Sequence, residues 1–520
     1  MSESFGKSNM IRHLICRLNV WYLDDGTLGG SAEEVIDSLN EVQTSCSQIG
    51  LELNPTKCEV VSHDAEFKTA VAGRLAGCRL LAPDEAELLG APLGKKAADL
   101  SLARKIASLH SARSRLTAID RHDALTLLRL SLGHPKTIYA LRSGPAFESV
   151  ELIRYDTELQ ETAVECLNVR LDENSWTQAS LPPCNGGIGL RTPTSLALPL
   201  FLSACSAVSE LASRLCENAP DAEHTLALSE WHERAPGAHQ PTEVQASKVN
   251  AWMTPIVNKS FEALLEHASS RDAARLRAAA SAESAAFFES VPSTREGTRL
   301  SDNALTCAVG LRLGADVAVA SKCSCGAELD SRSDHALSCG RGIGRGARHS
   351  EVNKRIRAAL ASAGVAAILE PVGLDVGAGK RPDGVTVLPF ARGREMAWDA
   401  TICHTCAPSH IPASAANSGA AAAMAEAGKE RKYASIRDRV DFRPVGLETL
   451  GSFGPGARSL FEDISARIRE RTGQASARVR LLRQIGAAIH IGNAACVAEA
   501  HSRPAGSLVG TTRAGASSPD

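Results

Sequence analysis

Tyr22-Leu23-Asp24-Asp25-Gly26 sets two adjacent carboxylates behind an aromatic residue. Leu18, Val20 and Tyr22 alternate with neighbours facing the other way, Asp24-Asp25-Gly26 supplies turn chemistry, and Leu28 resumes the apolar side. The stretch reads as strand, tight turn, strand. Such a turn projects both carboxylates from one edge, where they can ligate paired divalent metals; an acidic surface tip is the plain alternative. Working outward, residues 31–49 carry Val35, Leu39, Val42 and Cys46 at helical spacing. Residues 50–61 read as turn and strand, and Leu88-Leu89-Gly90-Ala91-Pro92-Leu93-Gly94 follows.

In this order the segments resemble the reverse transcriptases of non-long-terminal-repeat retrotransposons, whose YxDD hairpin precedes a helix, an N-x-x-K strand and an L-G hairpin that grips the primer. The resemblance implies magnesium or manganese at Asp24 and Asp25, Lys57 near the incoming triphosphate, and Leu89-Gly90 at the primer. A solvated strand lysine and a plain glycine turn are the alternatives. A polymerase also needs an aspartate from an earlier strand and a fingers subdomain, yet only 21 residues precede Tyr22. The expectation is an amino-terminally truncated enzyme that polymerises only if an upstream half arrives in trans.

The 520 residues suit roughly three domains. Hydrophobic residues make up 44% and alanine is abundant, which favours helices. No uninterrupted apolar run reaches the roughly 18 residues of a membrane span, and no signal peptide is recognisable, so no membrane partner is expected and the chain reads as soluble and intracellular. Fifteen scattered cysteines argue against a disulfide framework and for reduced thiols or metal ligands. A net charge of −2 means that nucleic-acid contact must come from local basic patches.

The middle of the chain reads as helical. Residues 102–119 mix Arg104, Lys105, Arg113 and Arg115 with apolar positions, and residues 150–167 repeat Leu152, Tyr155, Leu159, Ala163 and Cys166. Pro182-Pro183-Cys184-Asn185-Gly186-Gly187 breaks the pattern before a helix over 194–216, and residues 217–244 read as a loose surface segment.

Chemistry returns at Cys323-Ser324-Cys325, with His335 after nine intervening residues and then Cys339, four ligands suited to tetrahedral structural zinc. Reduced thiols are the alternative reading. Arg341, Arg345, Arg348, His349, Lys354 and Arg355 then cluster around Gly340, Gly342, Gly344 and Gly346. Glycines let backbone approach phosphates and the cations neutralise them, a footprint for duplex DNA; a flexible basic linker is the alternative. An aromatic content of 4% argues against extended base-stacking platforms.

From Glu351 the pattern runs helix (351–363), strands (366–371, 381–388, 394–403), long helix (413–440), strand (445–448). Glu370, Asp383 and Asp399 fall on or beside three adjacent strands, where carboxylates can converge on one metal. This order resembles the restriction-like PD-(D/E)XK nucleases. The series C-C-H-C, R-H, E-P, R-P-D-G, W-D-x-T, K-Y resembles the carboxy-terminal endonuclease of retrotransposons that carry one. Thr401 stands where the signature has a lysine. The resemblance moves that role to the following helix, with Lys432 beside Tyr433 as the best match and Lys429 as its substitute.

The whole reads as an α+β multidomain chain: partial reverse-transcriptase palm (1–98), thumb-like helices (99–145), helical connector (146–320), zinc knuckle and basic linker (321–345), restriction-like α/β endonuclease (346–455), C-terminal helices (456–505) and a disordered tail (506–520). The resemblance implies a nuclear protein that nicks duplex target DNA with Mg²⁺ or Mn²⁺ so that the exposed 3′-hydroxyl primes copying of an element RNA. The alternative is a catalytically dead nucleic-acid-binding remnant, motivated by Thr401 and the missing palm aspartate.

Overall fold

A computed structural model describes residues 14–215, 222–342, 344–374, 381–391 and 393–502; the tail reading for 506–520 lies outside them. The chain is mixed α+β, helix-rich and built in several units.

Strand β1 (Leu18–Tyr22) pairs antiparallel with β2 (Asp25–Gly29), Tyr22 opposite Asp25. The turn is therefore Leu23-Asp24, with Leu23 at φ 55°, one residue earlier than the sequence reading placed it. Gly26 has another task. It faces Trp21, and a Cβ there would sit 2.6 Å from the indole. Helix α1 (Ala32–Gln48) starts at a reciprocal cap: the Glu34 N–H donates to Ser31 Oγ (3.2 Å) and the Ser31 N–H to Glu34 Oε2 (2.7 Å).

Lys57 lies on an exposed 3₁₀ turn, Pro55–Lys57, rather than on a strand. Pro55 starts that turn and Asn54 Oδ1 accepts from the Thr56 N–H (3.1 Å), which delays β3 to Glu59–Val61. After α2 (Ala65–Ala72), β4 (Arg79–Leu81) runs parallel to β3. Strands β5 (Glu87–Leu88) and β6 (Ala91–Pro92) form the expected second hairpin, with Leu89 (φ 51°) and Gly90 (φ 76°) giving it a two-residue left-handed turn.

Helices then dominate: α3 (Lys95–Leu116), α4 (Arg121–Leu127), α5 (Ile138–Ser143), α6 (Glu151–Leu167), α7 (Glu173–Ser180), α8 (Pro193–Leu215), α9 (Ala222–Arg234), α10 (Glu243–Ala246), α11 (Val249–Glu266), α12 (Ser270–Ala279), α13 (Ala282–Phe288) and α14 (Asp302–Leu313). One apolar cluster gathers along α8, and another lies between α6 and α14. The loose segment expected over 217–244 is corrected by α9. Ala227, Trp231 and Ala235 are buried at four-residue spacing, and Trp231 Nε1 donates to the Trp252 carbonyl (2.9 Å). Pro193–Arg214 has the length and mean hydropathy (1.5) of a membrane span, although serines, threonine and Glu210 interrupt its apolar run. Its Leu196, Leu198, Leu200 and Leu202 are buried in the α8 cluster.

The last third opens with β7 (Ser321–Lys322), β8 (Glu328–Leu329) and α15 (Asp334–Ser338), followed by α16 (Gly344–Ser362). Next come β9 (Ala367–Leu369), β10 (Gly384–Thr386) and β11 (Met396–Cys403). The long helix expected over 413–440 is two, α17 (Ile411–Ala416) and α18 (Ala420–Lys432). Gly419 breaks it at φ 80°, where a Cβ would meet the Phe453 carbonyl at 2.7 Å. Strand β12 (Asp441–Glu448), α19 (Pro455–Thr472) and α20 (Ala477–Ser502) finish the chain. The sheet order is β12-β11-β10-β9, parallel between β11 and β12 and otherwise antiparallel. Helix α20 packs on α13, α14, α15, α16 and α19, joining this sheet unit to the connector.

Candidate functional site

Gly384 pairs with Leu369 on one side and Trp398 on the other, and one step further the register reaches Glu370, Asp383 and Asp399. The backbone continues the row: Glu370 N donates to the Asp383 carbonyl (2.8 Å) and Asp383 N to the Trp398 carbonyl (3.0 Å). The glycine of Arg381-Pro382-Asp383-Gly384 is required here, because a Cβ on it would lie 2.1 Å from the Trp398 ring. Trp398 Nε1 in turn donates to Asn353 Oδ1 (2.9 Å), fixing α16 against the sheet.

Two of the three acids are built in. Asp383 Oδ2 accepts from the Ala400 N–H (2.6 Å) and lies 2.9 Å from His349 Nε2. Burial works against the Asp383 carboxylate, but His349 and the Ala400 N–H outweigh it and hold its pKa below the usual range. The same pairing raises the His349 imidazole. Asp399 is nearly buried, its side chain 4% exposed. Its Oδ1 is in close ion-pair contact with Lys429 Nζ, and its Oδ2 accepts from the Tyr433 hydroxyl (2.6 Å) with Lys432 Nζ at 3.8 Å. The Arg381 carbonyl lies 2.7 Å from the same hydroxyl oxygen, a second acceptor for its one proton, so Tyr433 bridges the stretches that carry both acids.

Glu370 corrects the expectation of three converging carboxylates. Its backbone is left-handed (φ 52°), its side chain is 72% exposed, and it pairs with Arg381 Nη2 at 2.8 Å. Among the described residues it forms no compact ligand group with the other two. The order of the lysines is also reversed. Lys429 is closer to Asp399 and lines, with Thr401, His349 and Arg345, a polar cleft of about 410 Å³ edged by Gly340, Gly342 and Gly346. Lys432 instead stacks its ammonium 4.5 Å from the Tyr433 ring centre. Thr401 Oγ1 is buried without a hydrogen-bond partner.

The expected DNA-contact residues divide. Arg345 is exposed at the cleft, as is Arg341 nearby. Arg348 is 1% exposed: its Nη1 donates to Asn493 Oδ1 (2.8 Å) on α20 and its Nη2 to the Leu337 carbonyl (3.2 Å), so it joins elements instead of meeting phosphate. His349 belongs to Asp383. Lys354 and Arg355 both pair with Glu351, at 3.7 and 2.9 Å. The Gly344 N–H at the start of α16 donates to Glu499 Oε2 (2.7 Å), so that helix terminus is already capped by a carboxylate.

Cys323, Cys325, His335 and Cys339 come together as the spacing implied, their donor atoms all within 4.8 Å of one another. The Cys323–Cys339 sulfurs are 3.7 Å apart and Cys325 Sγ lies 3.1 Å from His335 Nε2. A tetrahedral zinc with bonds of about 2.3 Å to sulfur needs sulfurs roughly 3.8 Å apart, so the donor set fits. Burial opposes the Cys323 thiolate, yet the Cys325 N–H and the surrounding Cys325, Cys339 and His335 side chains bring its pKa down to about 7. Next to this cluster Asp334 takes two bonds from Arg271 (2.5 and 2.8 Å) and lies 3.3 Å from His404 Nε2, just past the end of β11. Despite burial, these partners hold Asp334 at about 2. With Cys406 the group offers three donors, but the guanidinium occupies the carboxylate, and it acts as an ionic clamp between the knuckle and the connector helix α12, with His404 of the sheet unit beside it.

Asp24 and Asp25 are exposed, with no third carboxylate beside them among the described residues. Lys57 is also exposed, on its own turn.

No family model matches this chain, and no curated protein matches it. Tyr433 and Asn353 are the site residues the sequence reading did not assign. Their signals were the Lys-Tyr pair and the four-residue step from His349 to Asn353.

Proposed function

We propose that this chain is a nucleic-acid-cutting protein of the restriction-like type, derived from a non-long-terminal-repeat retrotransposon, which nicks duplex DNA and thereby provides a primer for copying an RNA in the nucleus. The observation that carries this reading is the pair Asp383 and Asp399, set in one register row with Lys429 beside them, at a basic cleft next to a four-ligand Cys/His cluster. The order helix, three antiparallel strands, helix, parallel strand supports the restriction-like fold, and the two left-handed hairpin turns support a partial palm.

The residues act in separate roles. The His349 ring and the Ala400 N–H orient Asp383, while Tyr433 orients Asp399. A magnesium or manganese ion held by Asp383 and Asp399 would polarise the scissile phosphate and lower the pKa of an attacking water. Lys429 then offsets negative charge developing on the phosphate, which the neutral Thr401 cannot do. Arg341 and Arg345 hold the DNA backbone. Lys429→Ala is expected to slow plasmid nicking by on the order of 10²-fold, with Lys432→Ala staying within severalfold of wild type; the reverse order would restore Lys432 to the role.

A second reading has its own support. Glu370 is turned away, and His349 and Lys429 already pair with the other two acids, which suits a protein that binds DNA without cutting it. Incubating supercoiled plasmid with the wild type and magnesium decides between them. DNA retention in a gel shift with no nicked product selects the binder. Primer extension is proposed for neither, because among the described residues no third carboxylate stands beside Asp24 and Asp25.

A further inference from the structure

A second cleft, of about 760 Å³, lies in the connector between α6, α7, α8, α9 and α11. Its walls include Asp156, Trp176, Thr194, Arg234, Lys259 and His267. None of these elements supplies a residue to the sites above.

Asp156 is partly buried, and among the described residues no cation stands within ion-pair distance of it. The bond it accepts from the Thr194 N–H is long, 3.4 Å. Burial pushes its pKa up to about 6. Thr194 Oγ1 is buried and makes no hydrogen bond of good geometry, although it and the Thr194 N–H pull the Asp156 pKa down against burial; its carbonyl is taken by Arg234 Nη1 (2.9 Å). A carboxylate held only by one long bond and one poorly aligned hydroxyl costs free energy that packing alone does not return. Such groups facing an open cleft mark a place for a donor-bearing ligand.

The lining narrows the ligand. Two carboxylate oxygens match two N–H groups side by side, the Trp176 ring in the lining matches a flat ring, and Lys259 and His267 match one phosphate. Among the RNA bases guanine carries N1–H and the N2 amino group adjacent on its pairing edge, while adenine, cytosine and uracil present only one of these donor groups each. Glu173 and Glu233 also line the cleft, which disfavours a polyphosphate and suits one nucleotide within a strand.

We propose that this cleft binds an unpaired guanine nucleotide of an RNA strand, with Asp156 accepting from the base edge, Trp176 stacking on the ring, and Lys259 and His267 meeting its phosphate. The assignment does not depend on nuclease activity.

The test titrates the full chain with the RNA 5′-UUGUU-3′, reading tryptophan fluorescence and calorimetric heat. Binding is expected to weaken about tenfold when inosine, which lacks the N2 amino group, replaces the guanine, and more when adenine does. Asp156→Asn should weaken the guanine oligonucleotide about tenfold or more. Equal affinity for the guanine, inosine and adenine strands overturns the proposal without reliance on any variant. So does tight binding of spermidine or arginine amide with no binding of the RNA, which would make this an organic-cation site.

Discussion

Asp383→Asn is expected to reduce magnesium-dependent nicking of supercoiled DNA by on the order of 10²- to 10³-fold or more while leaving DNA retention nearly intact. The substitution preserves shape but removes a charge that His349 and the Ala400 N–H hold ionised at neutral pH. Binding survives because the exposed cations sit elsewhere. Arg341→Glu with Arg345→Glu should do the opposite, weakening retention and reducing the salt slope by about one for each phosphate no longer neutralised. Arg348 is unsuited to such a test: as glutamate it would bury an unpaired charge between α16 and α20 at a cost of about 3–5 kcal/mol. Nicking by Asp383→Asn at the wild-type rate would show that the active site has been misplaced.

Cys339→Ser is expected to take the zinc content from about one per chain to none, and to open the segment between Lys322 and Arg345 to limited proteolysis. The effect is large because the knuckle has little apolar core of its own, and β7 and β8 pair over only two residues each. His335 lies on the same short helix as Asp334, so losing the metal loosens the anchor that Arg271 and His404 grip. Elemental analysis after dialysis measures the first effect and a trypsin time course the second. Unchanged zinc in the variant would dismiss the four-ligand site.

Local chemistry was legible in the sequence. The helix carrying Val35, Leu39 and Val42, the Leu89-Gly90 turn, the four knuckle ligands and the strands flanking Asp383 and Asp399 all declare themselves within a few residues. What needed the folded chain was direction. Glu370 belongs to the register row by sequence, and only its left-handed backbone shows that the carboxylate leaves it. The two lysines are three residues apart on one helix, so periodicity groups them without saying which is nearer Asp399, and the break at Gly419 was hidden in an alanine-rich run. Two misreadings had available signals. Arg348 precedes Val352, Ile356 and Leu360 at four-residue steps and so shares their buried stripe. Ala227, Trp231 and Ala235 have the same step inside a stretch whose flanking prolines suggested a loop.

Helix α20 touches the connector through α13 and α14, the knuckle through α15 and the sheet unit through α16 and α19. Without it Val352, Phe287 and Val309 would belong to faces lacking their cover, and the connector and the sheet unit would both show apolar surface. A frameshift that spares every acid, lysine and cysteine discussed above but rewrites this helix would silence the protein at its birth, as a failure of assembly and not of chemistry.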